Sequence, residues 1–328
     1  MDTFYLENTN KYQPLPITGV NPGTYTFPTL NIDATGIILG ATSTNTINIG
    51  PDFTPENNDI LFGINTISIG NQNGQTQQGI ESIAIGYNTG LTNQYNNCIA
   101  IGSETGQTNQ GANNVNPDAT NSGYSVAIGF QSGQNNQGSE NVSIGQQSGQ
   151  TFQGNGAVAI GAYGGQNNQG IQAVALGYRA GNDTQGSLSV AMGLQSGQSN
   201  QGLNSIALGT NAGQINQGTQ CIALGNQTGR FNQGNNSIAI GFNSGNVNLG
   251  ANSIAIGYQA NTGGSIGSTV SGPSNCIVLN AGNNNLNAQN PNSFYVSPIR
   301  ILNSLSPSSL PLYYDITTFE IFAYNSSS

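Results

Sequence analysis

The sequence predicts an all-β protein, a parallel β-solenoid or β-roll of about 13 coils with a 16-residue repeat. Three observations predict this fold. A glycine returns every 16 residues through most of the chain, a short alternation of apolar and small residues precedes each of these glycines, and two further glycines follow at nearly fixed offsets. An internal period of this kind is typical of stacked units that bury their faces only against their neighbours.

The repeat reads Ser-Ile-Ala-Ile-Gly-x-x-Ser-Gly-Gln-x-Asn-Gln-Gly-x-x, and we name its first glycine the lead glycine. Gly102 and Gly129 are 27 residues apart, which predicts one repeat plus an 11-residue insertion near residues 112–122. Glycine at a fixed turn position supplies positive φ without a steric penalty. We therefore predict turns at the lead glycines Gly86, Gly129, Gly145, Gly161, Gly177, Gly193, Gly209, Gly225, Gly241 and Gly257.

Each lead glycine follows a triplet in which two aliphatic residues flank a small residue, Ala or Ser. Alternation with a period of two and enrichment in β-branched residues predict a short strand with one buried face. We expect the aliphatic pairs to form the core of the coils, for example at Ile83, Ile85, Val126, Ile128, Ile238 and Ile240.

The predicted core is thin. Ordering the 16 residues of a coil costs about 1–2 kcal/mol for each residue. Only two large apolar side chains per coil are available to offset that cost. Association of several chains along the rod would bury further apolar surface, so we expect an oligomer.

A column of glutamines stands just before the third glycine of the repeat. Successive coils of a parallel stack lie about 4.8 Å apart, so identical amides in one column can form hydrogen-bonded ladders. We predict such an amide ladder at Gln137, Gln153, Gln169, Gln185, Gln201, Gln217 and Gln233.

Charge excludes two classes of partner. Charged residues make up 5% of the chain and the formal net charge is −9. Nucleic acid and anionic lipid both require clustered cations, and we expect neither as a partner. No apolar stretch approaches the roughly 20 residues of a membrane helix, so we expect no membrane insertion. Residues 1–7 lack the features of a secretory signal. The cations are Lys11, Arg179, Arg230 and Arg300.

Catalysis is not expected. Because the chain has no histidine, the common general base and the commonest metal ligand are missing. A mechanism with carboxylates alone needs two acids facing each other across a substrate. The few acids of the repeat are not expected to line up on one face, so we predict no catalytic residue, no metal site and no cofactor. These acids are Glu81, Glu104, Glu140 and Asp183.

Cys98, Cys221 and Cys276 share one column, four residues before the lead glycine, where other repeats carry Ser or Ala. We interpret them as small residues in a small slot. Their wide separation along the stack argues against a disulfide within one chain, and a contact between cysteines of different chains stays open as the alternative. Free thiols are typical of assembly in a reducing compartment.

The residue after the lead glycine is aromatic in several repeats, and two interpretations stay open. Aromatic side chains on a polar rod stack on sugar rings or receptor surfaces, or they seal contacts between subunits. The insertion is a second place at which a loop on a regular scaffold can carry binding function. The aromatic candidates for ligand contact are Tyr87, Phe130, Tyr178, Phe242 and Tyr258.

The Ser-Ile-Ala-Ile-Gly copies at Ser82–Gly86, Ser237–Gly241 and Ser253–Gly257 resemble the head repeats of trimeric autotransporter adhesins, the YadA-like left-handed parallel β-roll. The resemblance covers about residues 66–260. It implies a homotrimer in which three parallel chains, each forming a roll, pack around a threefold axis. No heptad pattern typical of the coiled-coil stalk of that family occurs in this sequence.

The flanking segments resemble viral proteins. Residues 37–40 and 45–50 are similar to the short β-repeats of phage and giant-virus fibre proteins. Residues 293–300, 312–315 and 319–324 are similar to the segment before the intramolecular chaperone of viral tail fibres. This second resemblance implies a surface or tail fibre of a virus.

We divide the chain into three regions. Residues 1–65 are predicted to be an irregular β-rich region for attachment or capping, residues 66–280 the β-roll, and residues 281–328 a β-rich tip or cap. The predicted function is that of a structural trimeric fibre on the virion surface, attached to the virion through its N-terminus and binding a host receptor or glycan. The alternative is a cell-surface adhesin or the subunit of a self-assembling extracellular filament.

Overall fold

The computed structural model describes residues 5–8, 11–14, 29–32, 38–42, 47–49, 65–112, 122–263, 271–299, 312–314, 317 and 321–323. Within these ranges the regular structure consists of β-strands, without any helix. Accordingly, the described residues contain no helix of the length and apolarity that a membrane span requires. The predicted all-β parallel solenoid is confirmed, because two parallel sheets run side by side along the repeats.

The aliphatic sheet is built from the triplets before the lead glycines. Neighbouring strands pair in parallel with a shift of one repeat, as in the register of Val142 with Val158. Each strand therefore pairs with the equivalent strand of the next coil. The strands are Ile47–Ile49, Ile67–Ile69, Ile83–Ile85, Ile99–Ile101, Val126–Ile128, Val142–Ile144, Val158–Ile160, Val174–Leu176, Val190–Met192, Ile206–Leu208, Ile222–Leu224, Ile238–Ile240, Ile254–Gly257, Ile277–Asn280 and Phe294–Ser297.

The amide sheet is built from the triplets that end in the predicted glutamine column. Its ten strands are parallel, and only the first and third residues of a triplet pair with the next coil, as in the register of Thr151 with Asn167 and Gln153 with Gln169. The strands are Thr76–Gln78, Thr92–Gln94, Thr108–Gln110, Asn135–Gln137, Thr151–Gln153, Asn167–Gln169, Asp183–Gln185, Ser199–Gln201, Ile215–Gln217 and Phe231–Gln233.

Short strands flank the two sheets, and one of them, Thr29–Ile32, also pairs in parallel with Ile47–Ile49 of the aliphatic sheet. Tyr5–Asn8 pairs with Lys11–Pro14, Thr29–Ile32 with Ile38–Thr42, and Leu312–Tyr314 with Ile321–Ala323, each pair antiparallel. Ala260–Asn261 pairs in parallel with Leu286–Asn287. Because Ile47–Ile49 and Phe294–Ser297 belong to the aliphatic sheet, that sheet runs past both predicted limits of the roll, residues 66 and 280. Most of the predicted insertion, residues 113–121, lies outside the described residues.

Left-handed backbone makes the corners of the coil. In the repeat that starts at Gly145, five residues have positive φ: Gly145 at 126°, Gln147 at 52°, Gly149 at 52°, Phe152 at 54° and Gly156 at 67°. The same five columns carry positive φ in most other coils. Glycine and asparagine tolerate this region at the lowest cost, which accounts for much of the Gly- and Asn-rich composition.

The interior of the coil is filled by small side chains and glutamine. The central residues of the aliphatic triplets, such as Ala84, Ala127 and Ala239, are fully buried, and so are most of the column glutamines. The aliphatic residues on either side of each central residue face outward and are only half-buried. The prediction that Ile83, Ile85, Val126, Ile128, Ile238 and Ile240 form the core of the coil is therefore wrong for the single chain.

The physical reason is the narrow width of the coil. A Cβ atom placed on the turn glycine Gly181 would lie 2.6 Å from Gln185 Oε1 and 3.3 Å from the Cβ of Ala175. In the coils before Gly245, the space between the two sheets thus accepts a methyl group and an amide, but not a branched aliphatic side chain. The larger apolar residues are left on the outer face of the sheet.

Candidate interaction surface

The buried glutamine column locks the two sheets together. Gln153 Nε2 donates a hydrogen bond to Gln169 Oε1 at 3.0 Å, and Gln169 Nε2 donates to the backbone carbonyl of Val158 in the aliphatic sheet at 2.8 Å. Each glutamine therefore links its coil both to the next coil and to the opposite sheet. The same side-chain link joins Gln137 to Gln153, Gln169 to Gln185, Gln201 to Gln217, and Gln217 to Gln233.

The ladder is interrupted between Gln185 and Gln201. There the Ser189 hydroxyl donates to Gln201 Oε1 at 3.3 Å in place of a glutamine amide. At Leu249 the column changes character altogether. This residue is fully buried against Ala239, Ala255, Cys276 and Val278, so the stack ends in an apolar cluster.

A second amide ladder, which the sequence analysis missed, follows the outside of the coil. Gln150 Nε2 donates to Gln134 Oε1 at 3.0 Å, and Gln166 Nε2 donates to Gln150 Oε1 at 2.9 Å. Its donors thus point towards the N-terminal coils, opposite to those of the buried ladder. The signal was present in the sequence, since the glutamine after the second glycine is part of the motif. Arg230 joins this ladder, and its Nε donates to Gln214 Oε1 at 2.8 Å.

The outer face of the aliphatic sheet is a continuous apolar surface. We define the aliphatic face as the outward side chains of the triplets from Ile67–Ile69 to Ile254–Ile256, two per coil. Exposed fractions reach 41% at Ile206 and 39% at Leu224. Monomeric soluble proteins rarely expose contiguous apolar patches of more than a few hundred Å², and this face is on the order of 60 Å long at the coil spacing of parallel strands. Such a surface is typical of a protein–protein interface.

Part of the repeat region is similar to a known protein family. A family model described as the YadA head domain repeat matches residues 201–212, 233–244 and 249–273. The coils within these ranges are similar to YadA head repeats. Neither the curated proteins nor the solved structures contain a match to this chain.

The predicted ligand-contact residues lie at the corner that follows the aliphatic sheet. All five are exposed: Tyr87, Phe130, Tyr178, Phe242 and Tyr258. They do not form one continuous stack. The rings of Phe242 and Tyr258 stack at 5.6 Å with an interplanar angle of 14°, and Tyr178 contacts Tyr163 edge-on at 5.9 Å.

The lead glycines lie where the backbones of successive coils meet. From Gly86 to Gly257 their φ values range from 144° to 110°. A Cβ atom on Gly86 would lie 2.1 Å from the carbonyl oxygen of Gly102, so any side chain there would collide with the next coil. These glycines combine a left-handed turn with close backbone approach.

The acids of the repeats are dispersed along the rod, but two of them share a column, contrary to the expectation from the sequence. Glu81 and Glu140 share one corner column, three coils apart, or roughly 14 Å at the spacing of parallel strands. Asn97 Nδ2 donates to Glu81 Oε2 at 2.9 Å, and Gln131 Nε2 donates to Glu104 Oε2 at 2.7 Å. Within the described ranges, no group of three or more Cys, Asp or Glu residues is placed to hold a metal ion.

The three cysteines occupy the slot that the sequence predicted for small residues. Cys98, Cys221 and Cys276 are buried and free. Burial raises the pKa of the Cys98 thiol from 9.0 to about 12, against the smaller lowering effect of a hydrogen bond with the backbone of Ser125. Burial also raises the pKa of the Cys221 thiol. Both thiols are therefore held in the neutral form.

Proposed function

We propose that this chain is a structural fibre protein that assembles as a parallel homotrimer through its aliphatic face. The observation that carries the proposal is the exposed apolar stripe along the YadA-like repeats, with two aliphatic side chains in each coil. YadA head domains form homotrimers, and a threefold arrangement gives every chain the same apolar neighbours at every level. Parallel alignment follows because the repeats of each chain then meet identical repeats of its partners.

The fibre is proposed to project from a surface and to act in attachment. YadA-like adhesin heads are extracellular and surface-exposed. We assign this fibre to the virion surface, attached through its N-terminal region, and we propose a host glycan or receptor as its partner, on the strength of the flanking segments that resemble viral fibre proteins. The second candidate is a cell-surface adhesin or extracellular filament subunit, which the YadA head repeat match favours.

We also propose that the fibre is not catalytic. The four acids of the repeat are spread along the rod, and the two in a shared column lie several coils apart. A glycosidase-type pair needs carboxyl groups within about 10 Å of each other. Apart from Arg179 and Arg230, the rest of the described rod surface is built from amides, hydroxyls and apolar side chains, which position and bind rather than transfer protons.

The mass of the purified chain in solution, measured by sedimentation with reductant present, tests the trimer. We expect three times 33.8 kDa. A paired charge substitution in the aliphatic face, Val174→Glu with Leu208→Glu, should give the monomer mass, because carboxylates would be buried without partners. The matched control, Asn168→Glu with Asn200→Glu on the outer side of the amide sheet, should leave the trimer intact. A monomeric wild type, or equal effects of the two pairs, would contradict the assembly.

Location is tested separately with antibodies against the chain. Labelling of purified virions along projecting fibres supports the assignment to a virus. Absence of the chain from purified virions, together with labelling of intact cells, would replace it by the cell-surface adhesin.

A further inference from the structure

One position on the rod breaks the amide pattern of the repeat. The second residue after the lead glycine is an amide or an acid in most coils, for example Gln131, Gln147 and Gln195. In two successive coils it is instead Tyr163 and then Arg179. Both residues have positive φ, 60° and 53°. A bulky side chain in this region of backbone conformation is less favourable than Asn or Gly, so the two side chains are placed here at a local cost.

The two residues form one cluster with Tyr178. The Arg179 guanidinium carbon lies 5.6 Å from the ring centre of Tyr163 and 5.4 Å from that of Tyr178, which are cation–π distances. The two rings meet edge to face at 86°. From the preceding coil, Gln146 Nε2 donates a hydrogen bond to the Tyr163 hydroxyl at 3.4 Å. We name Tyr163, Tyr178 and Arg179 the Tyr–Arg cluster.

The cluster holds a cation whose hydrogen-bonding edge is available. Among the described residues Arg179 makes no ion pair, and its guanidinium contacts the rings of Tyr163 and Tyr178. The guanidinium is planar and carries five N–H donors that match the two oxygens of a carboxylate. Contact with aromatic rings limits its motion, so less conformational freedom is lost when the donors engage a ligand. Tyr178 remains 44% exposed beside it.

We propose that the Tyr–Arg cluster binds a saccharide that carries a carboxylate, with Arg179 on the carboxylate and Tyr178 against the sugar ring. An aromatic ring offers an apolar surface with a polar hydroxyl at its edge, which suits the mixed faces of a pyranose. This proposal deepens the proposed attachment function and rests on it, since it names the chemical class of the partner.

Charge argues for a single acidic group on the ligand rather than for a polyanion. The chain has a formal net charge of −9, and the described rod carries only Arg179 and Arg230 as basic side chains. A ligand with many phosphates or sulfates would meet one cation and a negative surrounding field. A saccharide with one carboxylate satisfies the cation and takes the rest of its contact from the rings. In a homotrimer three clusters at the same level would add avidity without any new contact.

Binding of a glucuronic-acid-terminated oligosaccharide to the full chain tests the proposal, against the same oligosaccharide with a neutral glucose terminus. Calorimetry and ligand-observed NMR should show a preference of about tenfold or more for the acid, the size of a hydrogen-bonded charge interaction. Arg179→Gln, which restores the residue type of Gln147 and Gln195, should remove the preference. Tyr178→Gln, the residue type of Gln146, should weaken both ligands.

Arg230→Gln is the matched control, because Arg230 also stacks on a ring, that of Phe231 at 4.6 Å, but lies in the outer amide ladder. It should bind like the wild type. Absence of binding in the wild type, equal binding of both oligosaccharides, or an unchanged preference in Arg179→Gln would overturn the proposal. Sedimentation of the same samples separates it from the fibre function: a trimer that does not bind contradicts the cluster alone, whereas a monomer that binds contradicts the trimeric fibre alone.

Discussion

Gln153 Nε2 donates a hydrogen bond to Gln169 Oε1 at 3.0 Å, from one coil to the next, in the buried interior of the rod. The described coils before Val247 bury Ala, Cys, Ser, Thr, Asn and Gln side chains between their sheets, rather than branched aliphatic residues. Cohesion within one chain therefore depends on a column of hydrogen-bonded amides, in which the side-chain oxygens of Gln78, Gln94 and Gln137 have no partner. The apolar cohesion that most proteins keep in their core lies here on an outer face.

Replacement of a column glutamine should destabilise the rod although it makes the interior more apolar. In Gln169→Leu, Gln185 Oε1 and the carbonyl oxygen of Val158 lose the hydrogen bond that Gln169 Nε2 donates to them, and each unsatisfied buried group costs about 1–3 kcal/mol. We expect a loss of about 2 kcal/mol or more in the free energy of unfolding, measured as a shift of the denaturant midpoint at fixed trimer concentration.

Gln166→Leu is the control for that experiment. Gln166 belongs to the outer ladder and is only partly buried, so water replaces the lost partners and the expected loss is below about 1 kcal/mol. Equal losses for the two variants would show that the buried ladder has no special role.

Phe152→Asn should stabilise the rod. Phe152 is exposed and has φ of 54° in a column whose neighbours are Asn136 and Asn168. Asparagine tolerates this conformation better and would extend the outer Asn contacts, of which Asn109 Nδ2 to Asn136 Oδ1 at 2.8 Å is an example. We expect a gain of about 0.5–1 kcal/mol in unfolding free energy.

The reverse change, Asn200→Phe, breaks the contact of Asn200 Nδ2 with Asn216 Oδ1 at 3.1 Å and should lose a similar amount. If Phe152→Asn instead lowers the stability of the assembled trimer, Phe152 contributes to a contact between chains.

The period and the strand positions could be predicted from the sequence, but not the direction of the side chains. A triplet such as Val142-Ser143-Ile144 alternates, and alternation alone does not say which side is inside. Size decides it: the small central residue fits against the glutamine of the opposite sheet, whereas the flanking residues do not. Hydropathy by itself favours the opposite assignment.

The hydrogen-bonded ladders of the Asn and Gln columns could also be predicted only in part from the sequence. Ladder formation follows from the equal spacing of identical amides, so the buried column could be predicted at Gln153 and Gln169. The Tyr–Arg cluster could not, because the period places Tyr163 and Arg179 in one column of successive coils but does not give the directions of their side chains, on which the contacts with each other and with Tyr178 depend. In such a rod, a residue that departs from the motif indicates a site only when the structure shows which side chains of the neighbouring coils it contacts.

Gly193→Ala should be among the most damaging single substitutions in the rod. Gly193 has φ of 126°, and a Cβ atom there would lie 2.7 Å from the carbonyl oxygen of Gly209 in the next coil. Strained backbone and a backbone collision add, so we expect a loss of roughly 3 kcal/mol or more. Thermal unfolding followed by circular dichroism measures it.

Gly156→Asn is the matched control. Gly156 also has positive φ, 67°, but the nearest atom to a Cβ there is the flexible Cγ of Gln172 at 3.3 Å. Asparagine occupies the same column at Asn204 and Asn236 with φ of 55° and 56°. The variant should be as stable as the wild type or slightly more stable; a loss equal to that of Gly193→Ala would mean that backbone approach between coils is not what selects the lead glycine.

The buried thiol of Cys98 predicts a defined loss of stability at alkaline pH. Burial raises its pKa to about 12 from an ordinary value of 9.0, so between these values the unfolded chain releases the thiol proton and the folded chain keeps it. Fewer protons are then bound in the unfolded state, and the free energy of unfolding falls as pH rises. The contribution is fully present below pH 9 and is lost progressively between pH 9 and about 12.

Cys98→Ala isolates this effect from all other titrations, since alanine fills the same slot at Ala157 and Ala173. We expect the difference in denaturant midpoint between the wild type and the variant to be constant from pH 6 to 8 and to shift against the wild type from pH 9 to 11. Iodoacetamide should label Cys98 in the folded protein at pH 8 far more slowly than in the unfolded chain, because the thiolate is the reactive form. A constant midpoint difference up to pH 11, or rapid labelling of the folded protein, would show that the slot admits water and that the thiol is not held neutral by burial.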